Sequence, residues 1–271
     1  AAFFNMCRPL ELVFSNGMDK GELVGIQTGD VTKMTTFEEF FDAYKKQMEY
    51  CISLMVNADN AIDVAHSERV PLPYESCMVD DCLSRGLSVQ EGGAVYNFTG
   101  PQGFGIANMA DSLYAIRKLV YEDKKVSMEE YKQALAWNYD KGLDQQSVSD
   151  MSEMILKGMQ DAGMAVNTDT AKAVLQTVMR LKPTEDQLRR FTEIHHMIDE
   201  VPKFGNAIDD VDYFARDVAY TYSRPLQKYM NPRGGHYQAG LYPVSANVPL
   251  GGQTGATPDG RYAHTPVADG V

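Results

Sequence analysis

The stretch from Gly92 to Gly105, Gly-Gly-Ala-Val-Tyr-Asn-Phe-Thr-Gly-Pro-Gln-Gly-Phe-Gly, couples a strand pattern to a glycine-rich turn. Ala94, Tyr96 and Phe98 alternate with Val95, Asn97 and Thr99 at the two-residue period of a strand, which predicts a buried strand here. Gly100, Gly103 and Gly105 then free the backbone for turns that a Cβ would forbid, and a helix-like run follows from Asn108. A strand, a glycine turn and a helix in succession predict α/β architecture, with a ligand held near the turn.

A chain of 271 residues, 44% of them hydrophobic, can bury a large core, so one large or two ordinary domains are expected. Twenty-five basic against thirty-seven acidic residues give a net charge of −12, which argues against nucleic acid or an anionic membrane surface as a partner. Cys7, Cys51, Cys77 and Cys82 fit no CxxC spacing and read as reduced thiols of a cytoplasmic protein. No apolar run approaches a membrane span, and no signal peptide opens the sequence. The chain starts at Ala1 inside an apolar pattern and stops at Val271 without a closing element, so it reads as an internal piece of something longer.

In chain order, Phe3 to Phe14 reads as helix and Met18 to Thr35 as loop. Thr36-Phe37-Glu38-Glu39 has the form of a capping box, with Phe40, Tyr44, Met48, Ile52 and Met55 at helical spacing behind it. That helix is expected to end before Pro71 and Pro73. Tyr74 to Arg85 reads as a second apolar-faced segment, Asp111 to Glu122 as a helix packed on the central strand, and Ser127-Met128-Glu129-Glu130 as a capping box for a helix to about Tyr139. Residues from about 142 to 182 show helical periods and no strand candidate, which predicts an all-helical insertion. Thr184 caps a helix ending near Pro202, a long helix covers Ala207 to Met230, and Gly234 to Ser245 is the best second strand.

Several side chains invite chemical readings. Gly100, Gly103 and Gly105 form G-x-x-G-x-G rather than G-x-G-x-x-G, Pro101 lacks an N–H, and no G-K-[ST] follows, so a structural turn is favoured over a phosphate cradle. His195 and Asp199 stand one helical turn apart without a third ligand nearby and read as a solvated face rather than a metal pair. His66, Glu68 and Arg69 read as a polar helix end rather than an acid–base pair. Asp209, Asp210 and Asp212 read as favourable charge at a helix start, and Cys77 and Cys82 as small core residues. Tyr242, in a Gly-flanked and Pro-followed strand, fits either a packing role or a phenol projecting into a cavity; spacing alone favours packing.

Ala1-Ala2-Phe3-Phe4-Asn5, His66 to Pro73, the Gly92–Gly105 stretch with Asp111-Ser112-Leu113 behind it, Phe204-Gly205-Asn206, and Arg233-Gly234-Gly235 through Tyr242-Pro243-Val244-Ser245 to Pro258-Asp259-Gly260-Arg261 together resemble glycyl radical enzymes of the pyruvate formate-lyase type. Within that family the sequence looks most like the B12-independent glycerol and propanediol dehydratases. The resemblance implies part of a ten-stranded α/β barrel with outer helices, spanning residues 1–271 and carrying the helical insertion. It implies a carbon–oxygen lyase dehydrating a small diol or polyol, in which a glycyl radical generates a thiyl radical that abstracts hydrogen from substrate. It also implies an S-adenosylmethionine-dependent iron–sulfur activating enzyme as partner, a homodimer, no bound metal or organic cofactor, and a cytoplasmic or microcompartment location.

Neither radical-bearing motif of the family occurs here, so the thiyl cysteine is expected before Ala1 and the radical glycine beyond Val271, and no catalytic residue is assigned within this chain. By the resemblance Tyr242 matches a tyrosine lining the substrate cavity and Val244 points the same way, while Asn97 and Phe98 are weaker candidates for wall positions. Within the family, an acyltransferase, an arylacetate decarboxylase or another C–X lyase is the alternative. Outside it, the alternative is a non-catalytic scaffold or split-half interaction module.

Overall fold

The computed structural model describes residues 2–143 and 145–270, so Ala1, Asp144 and Val271 lie outside the described residues. Its longest element is helix α2, and the reason is local. Thr36 Oγ1 accepts from Glu39 N–H at 3.2 Å while the Glu39 carboxylate accepts from the Thr36 and Thr35 N–H groups, which fixes the start of a helix running Phe37–Arg69. Phe40, Ala43, Tyr44, Met48, Ile52 and Val56 form its buried stripe, and the buried Gln47 exchanges hydrogen bonds with the Ile26 main chain through both ends of its amide. The other end closes on the main chain, Val70 N–H donating to His66 O at 3.0 Å. His66, Glu68 and Arg69 are all exposed there.

The segment expected to be helix from Phe3 begins instead as strand β1, Phe3–Asn5, before helix α1, Cys7–Phe14. The expected loop after it contains a minimal hairpin, β2 (Met18–Asp19) with β3 (Glu22–Leu23), and one 3-10 turn, Val31–Lys33. Tyr74 to Arg85 carries only two single-turn helices, α3 (Pro73–Ser76) and α4 (Cys82–Arg85). Cys82 is buried, as expected of a core residue, but Cys77 is exposed.

The central strand lies further along than the alternation predicted. Residues 92–98 are irregular, with Val95, Tyr96 and Phe98 exposed, and strand β4 is Gln102–Phe104, inside the supposed turn. β4 pairs in parallel with β1, Phe3 opposite Gln102 and Asn5 opposite Phe104. On its other side residues 236–240 run parallel as well. Thr99 N–H donates to His236 O, Gln238 N–H to Thr99 O, Gly240 N–H to Pro101 O and Gly103 N–H to Gly240 O, at 2.8–3.1 Å. One rung is missing because Pro101 has no N–H, which splits the second predicted strand into isolated bridges. The molecule thus holds three parallel runs side by side, and among the described residues the remaining architecture is mostly helical.

Helix α5 (Ile106–Ile116) follows β4 directly and is buried on nearly every side, as a helix between two layers must be; it continues as one π-helical stretch, Arg117–Glu122. Helices α6 (Met128–Ala136), α7 (Gln145–Asp161), α8 (Thr168–Met179) and α9 (Glu185–Glu200) come next, α6 and α9 opening on the capping boxes at Ser127 and Thr184. The stretch read as wholly helical is so throughout its described elements, α7 and α8. Helix α10 (Asp209–Leu226) is shorter at both ends than expected, with the three aspartates in its first turn, and the short α11 (Asn247–Gly252) follows. Among the described residues no helix is long and apolar enough to cross a membrane.

Candidate functional site

The two faces of the three-stranded ladder have different surroundings. On one face Phe4 stacks on Tyr222 of α10 with ring centroids 5.1 Å apart, and the Tyr222 hydroxyl donates to Pro101 O at 3.0 Å. Gly103 lies on this face, where a Cβ would come within about 3.0–3.1 Å of Tyr222, Leu241 and Met6, so glycine lets the helix approach. On the opposite face the register aligns Phe3, Gln102 and Gly240. That face is only partly covered: Phe3 is 58% exposed and packs edge-on against Phe104 at 5.6 Å.

Tyr242 belongs to this open face. Its ring folds back over Gly240, where a Cβ would stand 2.9 Å from Tyr242 Cε1 and 3.3 Å from Gln102 Cγ, and the residue is 57% exposed. Val244 does not share that environment: it packs against the core, and its N–H donates to Asp269 Oδ1 at 2.9 Å. Asn97 turns inward on its own loop, Nδ2 donating to Gly92 O at 3.1 Å and Ala94 O at 3.0 Å. Phe98 is 55% exposed but sits before Thr99, the residue paired with Tyr237, whereas Tyr242 follows Gly240, paired with Gln102. The Phe98 ring nevertheless leans toward Gly100, where a Cβ would stand 3.8 Å from Phe98 Cε2, two residues before Gln102.

Sequence reasoning passed over Gln102. It is 6% exposed, its Cγ and the Tyr242 ring both border Gly240, and its Oε1 is sealed from solvent with no hydrogen-bond partner among the described residues. The sequence shows only a polar residue between Pro101 and Phe104; that its acceptor lacks a partner shows only in the fold.

The main chain of residues 100–105 offers no phosphate cradle. Gln102 N–H donates to Ala2 O, Gly103 N–H to Gly240 O and Gly105 N–H to Ala268 O, so these amides are used within the fold. His195 is not on a solvated face, either. Its ring stacks on Tyr262 at 5.0 Å, meets Tyr139 edge-on at 4.8 Å, and bonds Gly260 O through Nε2 at 2.8 Å; Asp199 lies 3.7 Å from Nδ1. No group of three or more metal-ligating side chains occurs among the described residues.

The densest polar cluster surrounds Asp259, which accepts from Asn108, Ser112 and Thr257, while Tyr131, Tyr139 and Lys203 donate to the carbonyls of Pro258, Thr257 and Asp259. Half of these bonds end on the Asp259 carboxylate and half on the carbonyls of residues 257–259, so the cluster fastens that loop to α5, to α6 and, through Lys203, to the segment after α9. Asp111 borders this cluster and accepts from Phe204 N–H at 2.8 Å. Burial outweighs that bond and the nearby Lys203, with Asp259 and Asp212 adding repulsion, and pushes its carboxyl up to about 6. A folded-state value above the unfolded one means the fold takes up a proton, so stability from this group is present at low pH and is lost as pH rises from about 4 through about 6. Asp111→Asn keeps the acceptor for Phe204 and is expected to flatten the fall in thermal midpoint over that window, read by scanning fluorimetry of the intact protein from pH 4 to 7. An unchanged profile would assign the effect elsewhere.

Parallel strands that meet one helix through Gly103, with an open face opposite, define part of a helix-wrapped α/β unit. Residues 1–251 match the model of the pyruvate formate lyase-like family. The chain belongs to that family. A solved structure described as 1,2-propanediol dehydration in Roseburia inulinivorans superposes with a TM-score of 0.96 at 63% identity, covering 99% of this chain and 32% of that one. The glycerol-bound B12-independent glycerol dehydratase of Clostridium butyricum gives 0.77 at 41% identity, covering 98% and 28%. The (2S)-3-sulfopropanediol dehydratase of Klebsiella oxytoca is 30% identical over 273 residues, 100% of this chain and 27% of its own length. The chain therefore spans between a quarter and a third of the length of these relatives.

Proposed function

We propose that this chain is part of a glycyl radical dehydratase that removes water from a small vicinal diol, glycerol or 1,2-propanediol. The observation that carries the reading is the 63% identity, sustained over 99% of the chain at a TM-score of 0.96, to the Roseburia inulinivorans structure. In this reading the three parallel runs are a sector of the ten-stranded barrel, α10 belongs to its outer layer, and the open face with Tyr242 looks inward. Residues 142–182 are the helical insertion.

The glycyl radical, on a residue outside this chain and installed by an S-adenosylmethionine-dependent iron–sulfur activating enzyme, supplies the hydrogen abstraction. The contribution of this chain is the wall: the Tyr242 ring limits the space beside the substrate and its phenol hydrogen-bonds a substrate hydroxyl, holding the diol in one pose while packed strands exclude water. Val244 supports that wall from behind, and Asn97 and Phe98 shape its far end. The working assembly is a cytoplasmic homodimer, housed in a microcompartment where the organism makes one.

The full-length enzyme, activated under anaerobic conditions, is expected to convert glycerol or 1,2-propanediol to the aldehyde; failure with both overturns the reading. Tyr242→Phe should lower kcat/KM for the preferred diol by about tenfold, the worth of one hydrogen bond, with the radical yield unchanged. Unchanged kinetics would remove Tyr242 from the site.

A further inference from the structure

Gln102 is a buried amide with an unused acceptor, and its position says where that acceptor is directed. It stands on the middle run of the ladder, opposite Phe3 on one side and Gly240 on the other. Its neighbour Gly103 faces α10, so the alternation of a strand sends Gln102 away from that helix, to the face occupied by Tyr242. A carbonyl oxygen shut off from water without a partner is destabilising, and a fold keeps such a group where something arrives to pair with it. Nothing in the ladder needs Gln102 to be polar, because its own main-chain N–H donates to Ala2 O and the adjacent Gly103 N–H to Gly240 O.

We propose that Gln102 is a specificity-determining residue of the polyol site: its side-chain amide oxygen accepts a hydrogen bond from a hydroxyl of the substrate held by Tyr242. This rests on the dehydratase reading above. The Tyr242 ring and the Gln102 side chain meet beside Gly240, and the ring, being more than half exposed, is free to turn toward or away from the amide. Phenol and amide then lie on neighbouring runs, suited to the two hydroxyls of a vicinal diol. A monohydroxy compound would leave one of the two groups unpaired, and a site built that way discriminates strongly against it.

The test uses the full-length enzyme without activation, so that binding is read independently of radical chemistry, with glycerol and 1,2-propanediol as probes and isothermal calorimetry as the measurement. Gln102→Met, close in length and without the acceptor, is expected to weaken binding of the preferred diol at least tenfold while the thermal midpoint holds or rises, since an unpaired buried acceptor has been removed. Gln102→Leu carries the same comparison should the methionine variant fold poorly. Binding by the unaltered enzyme that neither folded variant weakens overturns the role of Gln102 and leaves the dehydratase reading standing. If the unaltered enzyme binds neither diol, both fall.

Discussion

Gly235→Ala is expected to separate the two halves of the central ladder, with loss of soluble folded protein as the simplest readout. A Cβ at Gly235 would lie 1.9 Å from Asn97 O and 2.3 Å from its carbonyl carbon, both main-chain atoms that no rotamer change can move aside. The same spot is where Asn231 clamps the two segments, its Nδ2 donating to Asn97 O and to Thr99 Oγ1 and its Oδ1 accepting from the Gly235 and Arg233 N–H groups. Relief requires residues 231–238 to shift by more than an ångström, which breaks those bonds together with the rung from Thr99 N–H to His236 O. At about 1 kcal/mol per net hydrogen bond, with the added cost of buried groups left unpaired, the penalty is on the order of 4 kcal/mol or more. That is a large share of the 5–15 kcal/mol typical of a domain. Gly234→Ala is the control: its Cβ would meet nothing within 4 Å, and the cost there comes from a φ of +83° alone. If Gly235→Ala matches Gly234→Ala in yield and thermal midpoint, the close approach of the two segments is not required.

The same ladder explains what could and could not be read from the sequence. The helices opening at Thr36, Ser127 and Thr184 were legible because a capping box is closed within four residues, and each is formed as expected. Strand β4 was misplaced because its rules are not local. The alternation from Ala94 to Thr99 imitates a strand, yet Gly92 and Gly93 sit where a Cβ would strike the main chain at Arg233 and Leu87, and that crowding holds residues 92–98 in an irregular loop. Glycines 100, 103 and 105 look like a turn until α10 is in place, after which Gly103 is where the helix touches the sheet. His195 was misread for a related reason: spacing along α9 shows Asp199, but the rings of Tyr139 and Tyr262 that enclose it come from elsewhere in the chain. Of the candidate site, Tyr242 was legible through family resemblance and Gln102 was not, since an unpaired acceptor can be recognised only once its neighbours are known.

Arg261→Met is expected to release the segment that ties the end of the described chain to the end of β1 and the start of α5. The guanidinium of Arg261 donates to Thr265 O at 2.7 Å, Tyr262 O at 3.0 Å and Thr257 Oγ1 at 3.1 Å, and also reaches Gly255 O. It therefore gathers the carbonyls of a loop that has no regular structure to satisfy them. That loop matters beyond itself. Thr254 Oγ1 accepts from Asn5 of β1 at 2.8 Å, Asp259 accepts from Asn108 of α5, and Ala268 O accepts from Gly105 N–H at 3.0 Å where β4 turns into α5. Hydrogen bonds to a charged donor contribute about 1.5–3 kcal/mol each and are not additive, so losing four is expected to cost about 4 kcal/mol or more. Lysine cannot rescue it, because one ammonium lacks the planar fork that spans carbonyls on both sides. Hydrogen exchange of the intact protein should show protection lost first at Gly105 and Val267 in the Arg261→Met variant, spreading to α5, while α2 stays protected. Uniform loss across α2 and α5 together would mean that the loop is only one part of a single cooperative unit rather than its clasp.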